Sequence, residues 1–172
     1  MKKERALPFP VLPDDGDIKW ESVLIRLVST PRTRKELERK LHERRCPGEK
    51  AAELLDRFEE IGMIDDRAYA LLYIDSKRDF GLRRLRDELR ARGVSHADID
   101  DALAKSEVNE SERALRLARQ WASQRGMTPQ KLDARLCRRG FSSSAVREVS
   151  AQLREEFGNS RGLGEESDDG GE

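Results

Sequence analysis

Apolar residues recur along this chain at intervals of three and four, the spacing of one face of an α-helix. The clearest stretch is Ile61 to Val94, IGMIDDRAYALLYIDSKRDFGLRRLRDELRARGV. It predicts a helix that begins at Asp65 or Asp66, where a short carboxylate can cap the first turn, and ends near Gly81. The apolar positions of this helix are Ala68, Leu71, Leu72 and Ile74. A second helix is predicted from about Leu82 to Arg92.

The second helix contains a pair of leucines four residues apart that occurs twice more in the chain. The three pairs are Leu37 with Leu41, Leu85 with Leu89 and Leu132 with Leu136, at offsets of 48 and 47 residues. Each pair is followed by an arginine, then Arg45, Gly93 or Gly140, and then the apolar Cys46, Val94 or Phe141. Glycine at such a position can take the left-handed backbone that ends a helix. The recurrence indicates three structural repeats.

Helix-starting residues precede the other apolar stretches. Thr33 with Glu36 and Ser95 with Asp98 have the spacing of capping boxes. Further helices are predicted from near Asp17, after Gly48 and from Ser111 to Ser123. We therefore predict an all-α fold of three tandem three-helix repeats forming an elongated, curved array. The predicted boundaries are a disordered N-terminal arm at 1–17, repeats at 18–63, 64–108 and 109–157, and a disordered acidic tail at 158–172.

The composition favours several small cores over one large core, because 36% of the residues are hydrophobic and 40% are charged. The chain has no net charge, but the charge is unevenly distributed. Residues 158–172 carry a net charge of −4 and residues 1–17 carry −1, which leaves +5 on residues 18–157. A basic body of this kind favours an anionic partner.

Candidate catalytic and metal-binding groups have simpler structural explanations. Asp65 and Asp66 stand where a helix cap is needed, and Asp98 completes a capping box. His42 and Cys46 are four residues apart, but a zinc site needs three or four protein ligands. We find no Gly-rich phosphate loop and no catalytic triad, so we expect no enzymatic activity, metal or cofactor. Two cysteines, no secretory signal and no membrane span predict a reduced, cytoplasmic protein.

Basic residues are the strongest functional feature of the sequence. Arg83, Arg86 and Arg90 share one helix face, opposite the leucines. Single arginines of this kind are often solvated and paired with nearby carboxylates, but a row of them predicts a binding surface for a protein or DNA partner. The candidate contacts are Lys77, Arg78, Arg83, Arg84, Arg86, Arg90, Arg34, Lys35, Arg39, Arg135, Arg138 and Arg139.

Three segments resemble the RecX family of bacterial regulatory proteins. They are TRKELERKLHERR, IDDRAYALLYIDSKRDFGLRRLRDELRARGV and LDARLCRRGF. The resemblance extends over about residues 18–157. One departure is Arg45, which replaces a glycine often found at that point in the family and leaves the geometry of the first turn open.

The resemblance implies a cytoplasmic modulator, usually an inhibitor, of the RecA recombinase. Such a protein would lie in the helical groove of the RecA–DNA filament and affect recombinase, ATPase and coprotease activity in DNA repair and the SOS response. Contact with single- or double-stranded DNA is a further implication, and we expect a monomer. Two alternatives stay open: a helical protein that binds DNA directly, and an adaptor for another protein. Few aromatic residues are available to stack on bases, which disfavours reading of single strands.

Overall fold

The computed structural model describes the backbone of residues 15–162 and the side chains of residues 18–156. Within these limits the chain forms nine α-helices and no strand, which confirms the all-α prediction. The helices are α1 (Asp15–Val28), α2 (Arg34–Glu43), α3 (Gly48–Glu60), α4 (Asp66–Ser76), α5 (Leu82–Ala91), α6 (His96–Lys105), α7 (Glu110–Ala122), α8 (Pro129–Arg138) and α9 (Ser143–Gly162). None of the described helices is long and apolar enough to cross a membrane.

Both ends of the helical region reach into segments predicted to be disordered. Helix α1 already begins at Asp15, and α9 continues to Gly162, five residues past the predicted end of the third repeat. The remainder of the predicted N-terminal arm (1–14) and acidic tail (163–172) lies outside the described residues.

The repeated leucines lie in α2, α5 and α8, each ten residues long. All six leucines are buried. After each helix the apolar residue donates its N–H to the carbonyl of the second leucine, from Cys46 to Leu41, Val94 to Leu89 and Phe141 to Leu136. Arg45 has a φ of 61°, close to the 90° of Gly93 and the 84° of Gly140. The first repeat therefore ends its middle helix like the other two, without the glycine.

The predicted helix starts are confirmed by their hydrogen bonds. Thr33 and Glu36 form a complete capping box. The Ser95 hydroxyl accepts a bond from the Asp98 N–H at 3.1 Å. Asp65 caps α4 by accepting the N–H of Ala68 at 2.8 Å. These contacts satisfy N–H groups that an opening turn leaves free.

Helix α4 differs from its prediction in length and in the face it buries. It ends at Ser76, several residues before Gly81. The buried side chains are Ala70, Tyr73 and Ile74, whereas Ala68 and Leu72 are exposed. Because this helix is apolar on more than one side, its spacing alone did not identify the buried face.

The chain divides between Tyr69 and Ala70 into two compact units. The core of the first unit contains the leucines of α1, α2 and α3 around Phe58. The second unit contains repeat two from Ala70 onward and all of repeat three, and Trp121 and Phe141 belong to a core formed there by α7, α8 and α9.

A carboxylate at the start of one repeat caps the middle helix of the preceding repeat. In the first unit, Asp66 at the start of α4 accepts the N–H of Arg34 at 2.8 Å. In the second unit, Glu110 at the start of α7 accepts the N–H of Leu82 at 2.9 Å. Glu110 also accepts the N–H and the hydroxyl of Ser142, at 3.2 and 2.7 Å. It therefore joins the starts of α5, α7 and α9.

Candidate partner-binding surface

The first turn of α5 lies against the residues that follow α8. The N–H of Gly81 donates to the carbonyl of Arg139 at 3.0 Å, and the N–H of Arg83 donates to that of Gly140 at 3.2 Å. The free N–H groups at the start of one helix thus meet the free carbonyls at the end of another. The contact fixes the arginines of α5 beside those of α8.

Beside this contact is an open groove of about 460 Å³. Its lining residues are Arg83, Arg84, Asp87, Glu88, Ala91, Arg138 and Gly140. The α5 arginines and Arg138 come from different repeats, so the groove depends on the packing of repeat two against repeat three. Its lining contains three arginines and two carboxylates.

Aromatic rings hold several of the guanidinium groups in place. Arg84 lies over Phe80 at 4.1 Å from the ring centre, and Arg135 lies over Trp121 at 4.1 Å. Arg139 is near both rings, at 6.0 and 5.9 Å. Cation–π contacts fix a guanidinium without cancelling its charge.

Several predicted contact residues are engaged in local ion pairs. These pairs are Arg34 with Asp56 and Glu59, Arg39 with Glu43, Arg78 with Asp75, Arg84 with Glu88, Arg86 with Asp100, and Arg90 with Asp87. Partial burial by itself would lower the pKa of Arg34, but the bonds to Asp56 and Glu59 together outweigh it and raise the pKa. The local carboxylates reduce the positive potential that these arginines present to a partner.

Other predicted residues form no ion pair within the described part of the chain. Arg83 donates instead to the Cys137 carbonyl at 2.9 Å, and Lys77 lies over the Tyr73 ring. Lys35 and Arg138 are exposed. Arg83, Arg135, Arg138 and Arg139 all lie on or near the contact between α5 and α8, which makes this contact the most basic part of the predicted surface in the second unit. Lys35 belongs to the first unit.

Glu88 has the most connected side chain in the groove. The Arg92 guanidinium, which donates to Glu88 at 2.9 Å, holds the pKa of this carboxyl below its ordinary value. A bond from the Tyr73 hydroxyl at 3.2 Å and the charge of Arg84 act in the same direction, while burial opposes them. The ionised form of Glu88 is therefore the form that stabilises the fold.

We expect this network to make the second unit less stable in acid. A carboxyl whose pKa is lowered by folding contributes its full stabilisation above its unfolded pKa, near 4.5. The contribution is lost as the pH falls through the lower, folded value. Urea unfolding measures the free energy of unfolding at pH 6 and at pH 3. The difference between these two free energies should be smaller for Glu88→Gln than for the wild type. Tyr73→Phe removes one donor and should give an intermediate difference, whereas equal differences in all three proteins would contradict this assignment.

Sequence reasoning missed two arginines of α7 that hold the loop after α4. Arg113 donates to the carbonyls of Ile74 and Lys77, and Arg116 donates to the carbonyl of Arg78 and to Asp79. Burial, followed by the nearby charges of Arg78 and Arg116, lowers the pKa of Arg113. No short motif marks these contacts, since they join residues 36 to 39 positions apart. The available signal was basic residues on the side of α7 away from Ala114 and Ala118.

The structure also shows the surroundings of the residues that were considered as catalytic or metal-binding candidates. The Cys46 thiol is buried, which raises its pKa, while His42 is exposed. Asp98 accepts a bond from Ser95 at 2.6 Å. Among the residues for which positions are described, no group of three or more His, Cys, Asp or Glu side chains could hold a metal ion.

These features define a tandem three-helix-repeat protein with an arginine-lined groove. Comparisons with known proteins agree. Residues 65–103 match the family model described as RecX, second three-helix domain. The chain is 36% identical over 165 residues to the regulatory protein RecX of Streptomyces coelicolor, covering 90% of this chain and 88% of the relative. It is 33% identical over 156 residues to that of Thermobifida fusca, covering 84% of each. The chain belongs to the RecX family.

Solved structures show the same fold. A crystal structure of regulatory protein RecX has a TM-score of 0.72 at 30% identity, covering 80% of this chain and 74% of that one. RecX from Lactobacillus salivarius has a TM-score of 0.70 at 23% identity, covering 81% and 97%, and supports the fold alone. The curated relatives are named regulatory proteins and not enzymes.

Proposed function

We propose that this chain binds the RecA–DNA filament, in its helical groove, and inhibits or modulates the recombinase, ATPase and coprotease activities of RecA. These activities would place it in DNA repair and the SOS response. Family membership carries the proposal, because relatives that match most of the chain are regulatory proteins named RecX. The arginines of α5 and α8 support it by offering a basic surface to an anionic assembly.

The repeated architecture suggests how the binding would work. Each middle helix presents its own polar side chains while its leucines are buried. Several weak contacts to successive RecA protomers would add, because the first contact raises the effective concentration of the others. Bridging neighbouring protomers would change their lifetime on DNA or block the path of a second duplex.

Charge reversal of Arg83, Arg86 and Arg90 to Glu is expected to weaken inhibition of RecA strand exchange and ATP hydrolysis by roughly tenfold or more. The three residues share a face, so reversal replaces attraction with repulsion over one patch. The measurement is the concentration that gives half-maximal inhibition with preformed filaments. A matched control reverses the exposed Arg125, Arg147 and Arg154 to Glu. This control changes the net charge by the same amount. Circular dichroism checks that both variants fold.

Unchanged inhibition by the folded α5 variant would contradict the proposal for this face. Binding to bare DNA separates the alternative, a protein that acts on DNA directly. That alternative requires tight binding without RecA, with an affinity that falls steeply with salt. A pull-down with RecA, DNA and preformed filaments as separate baits distinguishes the three possible targets.

A further inference from the structure

The groove between α5 and the end of α8 has charges of both signs available to a ligand. Arg138 is exposed and has no ion-pair partner within the described residues. Asp87, on the α5 side, is 63% exposed and lies 3.7 Å from Arg90, a long and weak pairing. A ligand in this groove would meet a cation and a carboxylate together.

Two of the groove arginines are already held in position. The Arg83 guanidinium donates to the Cys137 carbonyl at 2.9 Å, which uses one of its five N–H groups and cancels none of its charge. Arg84 is stacked at 4.1 Å over Phe80 and is 3.5 Å from Glu88. Groups fixed before binding lose less conformational entropy when a ligand arrives.

The balance of charge disfavours a nucleic-acid backbone as the ligand. A DNA strand presents one negative charge after another at close intervals, so it would place phosphate near Asp87 and Glu88 as well as near the arginines. The nearby rings also offer no stacking platform, because guanidinium groups already cover faces of Phe80 and Trp121. Sequence-tolerant binding of single strands depends on open aromatic faces.

A polypeptide can satisfy both signs within a short distance. We propose that the groove binds an acidic protein segment, with a carboxylate between Arg83 and Arg138 and a donor group facing Asp87. The volume of about 460 Å³ suits a few side chains and not a folded domain. This inference rests on the proposed function, in which the segment belongs to the protein of the filament and not to its DNA.

Reversal of the exposed groove arginine, Arg138→Glu, tests the assignment with little risk to folding. We expect the affinity for filaments assembled on single-stranded DNA to fall by roughly tenfold, because reversal repels the carboxylate. Arg147→Glu is the matched control, since it makes the same charge change on exposed α9 surface outside the groove. Binding of both variants to bare single-stranded DNA is measured at the same salt concentration. The Arg138 variant should differ from the control on filaments and match it on DNA.

A photocrosslinker identifies the molecule that occupies the groove. Ala91 lines the groove and is exposed, so p-benzoylphenylalanine can replace it without disturbing the core. Irradiation of the filament complex should attach the chain to the filament protein at an acid-rich peptide, identified by mass spectrometry. Attachment to the labelled DNA would overturn the assignment in favour of nucleic acid.

The outcomes separate the groove from the wider function. If the wild-type chain does not bind filaments, the proposed function fails and the groove assignment fails with it. If the wild type binds and Arg138→Glu binds equally well, the groove assignment alone is overturned. Equal losses of filament and bare-DNA affinity in the Arg138 variant would also overturn it.

Discussion

Alanine at position 81 or 140 is expected to destabilise the second unit more than alanine at position 126. A Cβ at position 81 would lie 2.3 Å from the carbonyl oxygen of Gly140 and from the N–H nitrogen of Phe141. A Cβ at position 140 would lie 2.4 Å from the Cβ of Arg84. These neighbours are backbone or near-backbone atoms, so the contact between α5 and α8 must open. Overpacking of this kind costs about 1–3 kcal/mol.

Gly140 should be the more sensitive of the two because its φ is +84°. A side chain in the left-handed region adds about 1–2 kcal/mol to the steric cost. Gly126 has a similar φ of +78° but open space around it, so Gly126→Ala measures the backbone cost alone. Gly48 has open space and a helical backbone, so Gly48→Ala should be neutral or slightly stabilising.

Urea unfolding of these four variants measures how much each substitution changes the free energy of unfolding. In a Trp20→Phe background, fluorescence reports on Trp121 and therefore on the second unit. Gly48 belongs to the first unit, so Gly48→Ala should leave the Trp121 transition as it is in the wild type. Gly126→Ala should be less stable than the wild type, and Gly81→Ala and Gly140→Ala should be less stable still. A Gly81→Ala variant as stable as the wild type would show that the two backbones do not approach as closely as described.

The middle helices could be predicted from the sequence because their determinants are local. Two leucines four apart define a buried stripe, and the residue after the arginine sets the turn. The same turn forms at Arg45. Its hydrogen bonds there offset the steric cost of placing arginine, and not glycine, in the left-handed region. Helix starts were also predictable, since a cap acts on residues two or three positions away.

The candidate site could be predicted only as a list of cations. Whether an arginine keeps its charge available depends on neighbours brought in by folding. Arg86 meets Asp100 of the next helix, and Arg83 meets a carbonyl 54 positions away. No periodic pattern contains that information. The groove itself depends on the contact between the start of α5 and the turn after α8, which helical spacing does not determine.

Asp66 and Glu110 show the same limit on the structural side. The helix start predicted at Asp65 or Asp66 is confirmed, since Asp65 caps α4 and Asp66 is its first residue. The sequence did not indicate that Asp66 also caps α2 of the preceding repeat. Glu110 does the equivalent for α5, but it lies 28 residues from its target, whereas Asp66 lies 32 residues from its own. Because the two spacings differ, aligning the repeats by sequence did not predict this shared contact.

Glu110→Ala is expected to lower the free energy of unfolding of the second unit by about 2–3 kcal/mol. Its carboxylate accepts bonds from the N–H groups of Leu82 and Ser142 and from the Ser142 hydroxyl. Alanine would leave two partly buried N–H groups without this acceptor, and charge-assisted bonds contribute about 1.5–3 kcal/mol each before water offsets part of the loss. Glu110→Gln keeps one carbonyl oxygen and should lose less.

Two comparisons separate the loss of these bonds from general effects of charge. Glu112→Ala removes a carboxylate from the same first turn of α7, where Glu112 is exposed, so it changes the helix-end electrostatics without removing the acceptor. It should cost well under half as much as Glu110→Ala in Trp121-monitored urea unfolding. Asp66→Ala is the counterpart in the first unit and should be detected through Trp20, which packs on that core. Equal costs for the Glu110 and Glu112 variants would mean that Glu110 acts through its charge alone and does not join α5 to α9.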